Sequence, residues 1–191
     1  MQVSKSIVLL LVSAPLVLGI GVALADRDGD EHEGYWSRWF SSPVAPVETR
    51  ESALYQEECG SCHFPYQPGF LPSASWIGIM NRLDDHFGDN AQMDEASQRS
   101  ILAYLTANAA DAMNREIPNK VMWSLRYTPK PERVTETAFF RHEHDGIAAY
   151  IQRHPNPDIS FSNCDTCHTR AMQGFYDERD IRVPGVGRWD D

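Results

Sequence analysis

All four cysteines of this 191-residue chain fall into two copies of one short pattern. Cys59-Gly60-Ser61-Cys62-His63 and Cys164-Asp165-Thr166-Cys167-His168 each set two thiols three positions apart, with a histidine directly after the second. An even number of cysteines ordinarily suggests a disulfide framework. The repeated spacing outranks that reading, because a chain built on two such motifs must fold around whatever they bind. Two intervening residues let both sulfurs bond the vinyl groups on one edge of a haem, and the adjacent histidine then offers its nitrogen to the iron. A thioredoxin-type pair needs a strand-helix setting that the flanking sequence lacks. Zinc fingers keep their ligand pairs much closer than the roughly hundred residues that separate these two. The motifs therefore imply two covalently bound haem c groups, attached at Cys59, Cys62, Cys164 and Cys167, with His63 and His168 as proximal ligands.

The N-terminus reads as an export leader. Lys5 precedes a nearly unbroken apolar run from Ile7 to Leu24, and Ala23-Leu24-Ala25 gives the small-x-small pattern of a cleavage site. Residues 1–25 are expected to be a cleaved signal peptide, which implies a periplasmic protein. The competing reading is an N-terminal membrane anchor, since 18 apolar residues approach the length of a span. Removal of the leader takes Lys5 and no acid, leaving 16 basic against 27 acidic residues and a charge of −11. Such a balance argues against nucleic acid and anionic lipid as partners. With 42% hydrophobic and 23% charged residues, wholesale disorder is excluded as well.

Residues 26–50 are expected to be a flexible and linker segment. It holds the acidic run Asp26 to Gly34, the aromatic cluster Tyr35 to Phe40 and the proline-containing stretch Ser41 to Val47. Residues 51–115 form the first expected haem domain. Glu51 to Glu58 reads as a helix leading into the first motif, and Ser73 to Phe87 as a second, with Ser73 as N-cap and Gly88 as its stop. Asp94 caps a third, running to about Ala110, whose apolar face carries Ile101, Leu102 and Leu105. Prolines 118, 129 and 131 make 116–133 a linker that is mostly loop. Residues 134–191 form the second haem domain, with one helix from Thr137 to about Ile151 and the second motif in a short turn beyond it.

The sixth iron ligand decides the chemistry, since a filled position favours electron transfer and an open one permits reaction with a small molecule. Candidates are His32, His86, His142, His144 and His154, together with Met80, Met93, Met113, Met122 and Met172. With Phe140 at zero and about 100° per residue, His144, Ile147 and Ile151 share one helical stripe, while His142 falls about 160° away among polar residues. His144 is favoured over His142, and His154, near the second motif, is the stronger rival. On the first site the same construction puts His86 at the edge of the stripe Trp76, Met80, Leu83 and Phe87. His86 is preferred there, with Met80 and Met93 competing.

Several segments resemble the dihaem cytochrome c family of bacterial electron-transfer proteins. They are Gly60-Ser61-Cys62-His63, Leu71-Pro72 with Ser75-Trp76, Leu83-Asp84-Asp85-His86-Phe87-Gly88, Val134-Thr135-Glu136-Thr137 with Phe140 and His144, Asn163-Cys164-Asp165-Thr166-Cys167-His168, Gly174 and Pro184. Ile101-Leu102-Ala103-Tyr104-Leu105 is similar to the C-terminal helix of class I cytochromes c. The resemblance implies a mainly α fold, with a class I cytochrome c-like N-terminal haem domain followed by a smaller, loop-rich haem-binding domain. It also implies bis-histidine ligation, with His86 at the first iron and His144 at the second. A family member is expected to carry electrons between other redox proteins, with a membrane b-type cytochrome as donor and a small high-spin cytochrome c as acceptor. No small-molecule substrate and no enzymatic activity are expected. The rival is a haem enzyme, a peroxidase or small-molecule reductase with one openable iron, and no distal acid-base pocket for it is legible.

Overall fold

Helix α1 (Arg50–Gly60) starts at a reciprocal cap: the Ser52 amide donates to Thr49 Oγ1 and the Thr49 amide donates to Ser52 Oγ. Such a cap satisfies amides that a helix start leaves without partners. The computed structural model describes residues 48–127 and 130–189, so the leader, the acidic run, the aromatic cluster and the stretch 41–47 lie outside the described residues. The described residues fall in one compact unit.

Helix α2 (Ser73–Met80) is shorter than the sequence pattern suggested. Ser73 is its first helical residue and not its cap. Its amide and hydroxyl both donate to the Asp111 carboxylate, at 2.8 and 2.5 Å, so a distant side chain serves the helix start. The helix stops at Met80, whose carbonyl accepts from the Gln98 side chain at 2.6 Å. A 3-10 turn (Leu83–Asp85) and a tight hairpin from His86 to Asp89 follow. In that hairpin the His86 amide donates to the Asp89 carbonyl at 2.7 Å, while Phe87 and Gly88 take φ of 59° and 104°. Helix α3 (Glu95–Ala107) is capped by Asp94, which accepts from the amides of Ala96 and Ser97.

Helix α4 (Glu116–Ser124) occupies a stretch expected to be mostly loop. Pro118 lies in its first turn, where the missing N–H costs no helical hydrogen bond, so it does not block the helix. Helices α5 (Ala138–Glu143) and α6 (Asp145–Arg153) replace the single helix expected from Thr137. They are separated at His144, whose φ of −125° and ψ of 13° leave the helical region. Two-residue strands β1 (Arg182–Val183) and β2 (Gly187–Arg188) close a small antiparallel hairpin. The fold is therefore mainly helical with little strand.

Helices α1 and α2 both pack against α3, and α4 packs against α5 and the 3-10 turn Pro68–Phe70. The core collects Tyr55, Phe70, Leu71, Trp76, Leu83, Ile101, Leu105, Val121, Leu125 and Val134. Each large side chain buried there contributes roughly 1.5–3 kcal/mol. Buried Trp76 keeps its indole N–H satisfied on the Pro68 carbonyl at 2.8 Å. Among the described residues, no helix is long and apolar enough to cross a membrane.

Candidate haem sites

The first motif straddles the end of α1. Cys59 lies in the last turn, Ser61 caps it, and Cys62 and His63 follow on the descending chain. His63 Nδ1 lies 2.7 Å from the Phe64 carbonyl. A carbonyl only accepts, so Nδ1 carries the proton and Nε2 the lone pair that a metal would take. Opposite stands His86, delivered by the hairpin after α2, with ring centres 6.2 Å apart and planes inclined by only 15°. Arg133 lies over the Phe87 ring at 3.9 Å, and that ring meets His86 at 4.9 Å. A cleft of about 370 Å³ opens beside His86, walled partly by Arg82, Phe87, Glu132 and Arg133.

The second motif is a 3-10 turn (Cys164–Thr166), closed by the amides of Cys167 and His168 on the Cys164 carbonyl. His144, at the break between α5 and α6, faces His168 with ring centres 5.9 Å apart and planes crossed at 68°. His144 Nδ1 lies 2.9 Å from the Phe140 carbonyl, which assigns its lone pair to Nε2 by the same reasoning. Phe140 stacks on the His144 ring at 3.9 Å, and Phe161 closes on both edge-on. His142 and His154 are exposed, and the His154 ring lies against Tyr150. Met80 is buried in the core with Met93 and Met122 packed around it, while Met172 is exposed. His32 lies outside the described residues.

Histidines facing each other in pairs suit a particular kind of metal group. Among the described residues, no three His, Cys, Asp or Glu side chains converge as a bare ion would need. An iron that brings four nitrogens of its own asks the protein for two ligands only. An imidazole nitrogen sits about 2 Å from a first-row metal, so ring centres across one metal lie about 6 Å apart. Both pairs match that spacing, and the donor set fits a haem at each motif.

At one histidine of each pair, electrostatics favours the neutral imidazole that ligation requires. Burial, then His144, holds His168 down to about 4. Burial lowers His86 too, helped by His63 and Arg133 against the opposing pull of Asp89. Before haem is attached, burial pushes the Cys59 thiol up to about 11 and the Cys164 thiol to about 12, so both are protonated at neutral pH until the thioethers form.

A model of the dihaem cytochrome c family matches residues 55–176, a span that contains both motifs and all four of these histidines. The chain belongs to the dihaem cytochrome c family. The fold is similar to the X-ray structure of the diheme cytochrome type c from Shewanella baltica OS155, with a TM-score of 0.59 and 37% identity over 74% of this chain and 100% of that one. It is also similar to the diheme cytochrome c from Rhodobacter sphaeroides, with a TM-score of 0.57 and 33% identity over 69% of this chain and 98% of that one. No curated protein matches the chain. This dihaem cytochrome c thus binds two haem c groups covalently and is a haem-based electron-transfer protein.

Several residues around the sites escaped the sequence reading. Tyr66 meets the His63 ring at 5.4 Å, and Tyr176 meets the His168 ring at 5.2 Å. Buried Gln67 joins the two motif regions, donating to the Ala171 carbonyl at 2.7 Å and accepting from the Tyr176 hydroxyl. Proximity in sequence to His63 and His168 was the only signal they carried. Contacts across more than a hundred residues leave no period to read.

Proposed function

We propose that the chain is a periplasmic electron carrier and not an enzyme, with His63 and His86 on the first iron and His144 and His168 on the second. The observation that carries this reading is the pair of histidine-histidine spacings, 6.2 and 5.9 Å. An imidazole on each face of each iron leaves no position for a substrate, which favours outer-sphere electron exchange over bond-making chemistry. Histidine in place of a methionine thioether also lowers both reduction potentials relative to a His/Met cytochrome. The apolar leader and its Ala23-Leu24-Ala25 site support export, and a mature N-terminus at Asp26 is the expected result of sequencing the processed protein. The family resemblance supports a membrane b-type cytochrome as donor and a small high-spin cytochrome c as acceptor.

Ultraviolet-visible and electron paramagnetic resonance (EPR) spectra of the ferric protein test the ligation. Uniformly low-spin haem is expected. A high-spin fraction, or a methionine-to-iron charge-transfer band, would reject the bis-histidine carrier.

A further inference from the structure

The four facing histidines are not held alike. His63 and His144 each have Nδ1 anchored on a backbone carbonyl one and four residues away, respectively. His168 has none: its Nδ1 is buried and, among the described residues, has no hydrogen-bond partner. A ring without that anchor takes its orientation from packing. Tyr176 packs on it from one side at 5.2 Å, and His144 faces it at 5.9 Å.

Tyr176 is itself pinned from the other motif's segment. Its hydroxyl donates to Gln67 Oε1, while Gln67 Nε2 donates to the Ala171 carbonyl at 2.7 Å. The two bonds fix the amide orientation, since the carbonyl of Ala171 can only accept and the amide oxygen must then meet the hydroxyl. Gln67 is 6% exposed, and a buried polar group with every partner in place specifies one arrangement at a high cost for losing it. Phe70 braces the Tyr176 ring edge-on at 5.0 Å.

We infer that Gln67 and Tyr176 are positioning residues for the second haem, acting through the ring plane of His168. Gln67 follows the first motif by only four residues, so the first haem segment sets the ligand geometry of the second. The quantity controlled is the 68° crossing between His144 and His168, against 15° between His63 and His86. In a ferric low-spin iron with two imidazoles, parallel planes split the d orbitals and give a rhombic resonance. Crossed planes leave those orbitals nearly degenerate and give a resonance with a large maximal g.

The inference rests on the bis-histidine reading, and the EPR experiment separates the two. The intact holoprotein should show two low-spin signals, one rhombic and one with a large maximal g. In Tyr176→Phe, which keeps the ring and loses the hydroxyl, the large-g signal should move or broaden while the rhombic one stays. Gln67→Leu should do the same, and adding Tyr176→Phe to it should change little, because Gln67→Leu already removes the one hydrogen bond that Tyr176→Phe breaks. Two unchanged signals in both single variants, with only Tm lowered, would make these residues structural ties and overturn the inference. Movement of the rhombic signal alone would also overturn it. High-spin iron in the unmutated protein would instead reject the ligation reading itself.

Discussion

His144 stands where α5 gives way to α6, and its ring lies between Phe140, Phe161 and His168. Replacing it with alanine should convert the second haem to high-spin, whereas His142→Ala, at an exposed position, should leave the spectrum alone. His86→Ala should have the high-spin effect on the first haem. Opening of an iron by His142→Ala or His154→Ala would refute the assignment. At this scale the motifs were fully legible, since covalent attachment demands a fixed local spacing. The facing histidines were legible for a weaker reason. The helical wheel put His144 with Phe140, and the structure stacks the two although the helix breaks at His144 itself. The wheel on 73–87 assumed a helix that ends at Met80, so His86 arrives from a hairpin that no periodicity describes.

The elements that deliver these histidines depend on their caps. Thr137 is buried, and its Oγ1 accepts from the Phe140 amide at 3.1 Å and donates to the Val134 carbonyl at 2.8 Å. Thr137→Ala should cost about 1–2 kcal/mol, read as a lowered denaturation midpoint of the holoprotein. An unchanged midpoint would mean that packing alone holds the start of α5. Asp94 tests a cap by pH. Hydrogen bonds from the Ser97 hydroxyl and then the Ser97 amide hold its carboxyl below the ordinary value of 3.8. A lowered folded value makes its stabilisation fully present above 3.8, and that stabilisation fades as pH falls through the lowered value. Asp94→Asn keeps a capping oxygen without titrating. Thermal melts should therefore favour the parent at neutral pH and converge in strong acid. A gap that persists there would show that charge is not the cause. Capping was readable for Asp94 from residue type and place, whereas Thr137 was read as the start of its helix and proves to be the cap. Ser73 misled because its true partner, Asp111, lies 38 residues away.

Across the whole molecule the charge expected after leader removal, −11, should govern encounters with partners. A basic partner would be steered by that field, which is screened beyond about 10 Å at 0.1 M salt. Second-order electron exchange should therefore slow as ionic strength rises. The run from Asp26 to Gly34 holds five acids and one base, a charge of −4, so deleting it leaves −7 and most of the salt dependence. Stopped-flow rates across a salt series decide this, and a flat profile would assign docking to apolar contact instead. Charge was legible because it is additive along the chain. The links between the two motif regions were not, because Tyr66 to Ser162 and Gln67 to Ala171 join residues 96 and 104 positions apart.

The segment after the second motif folds back over it: the Arg182 amide donates to the Cys167 carbonyl at 2.8 Å, and His168 and Ile181 form a bridge. Biosynthesis has a direction, and this clasp is made after the residues it covers. Haem attachment at Cys164 and Cys167 is therefore expected to precede the clasp, which then shuts on a finished site. A chain terminated after Asp177 should still gain two haems by mass. Its second haem should bleach faster in peroxide, since the clasp is gone. Recovery of a single-haem product would instead make the clasp a requirement for attachment.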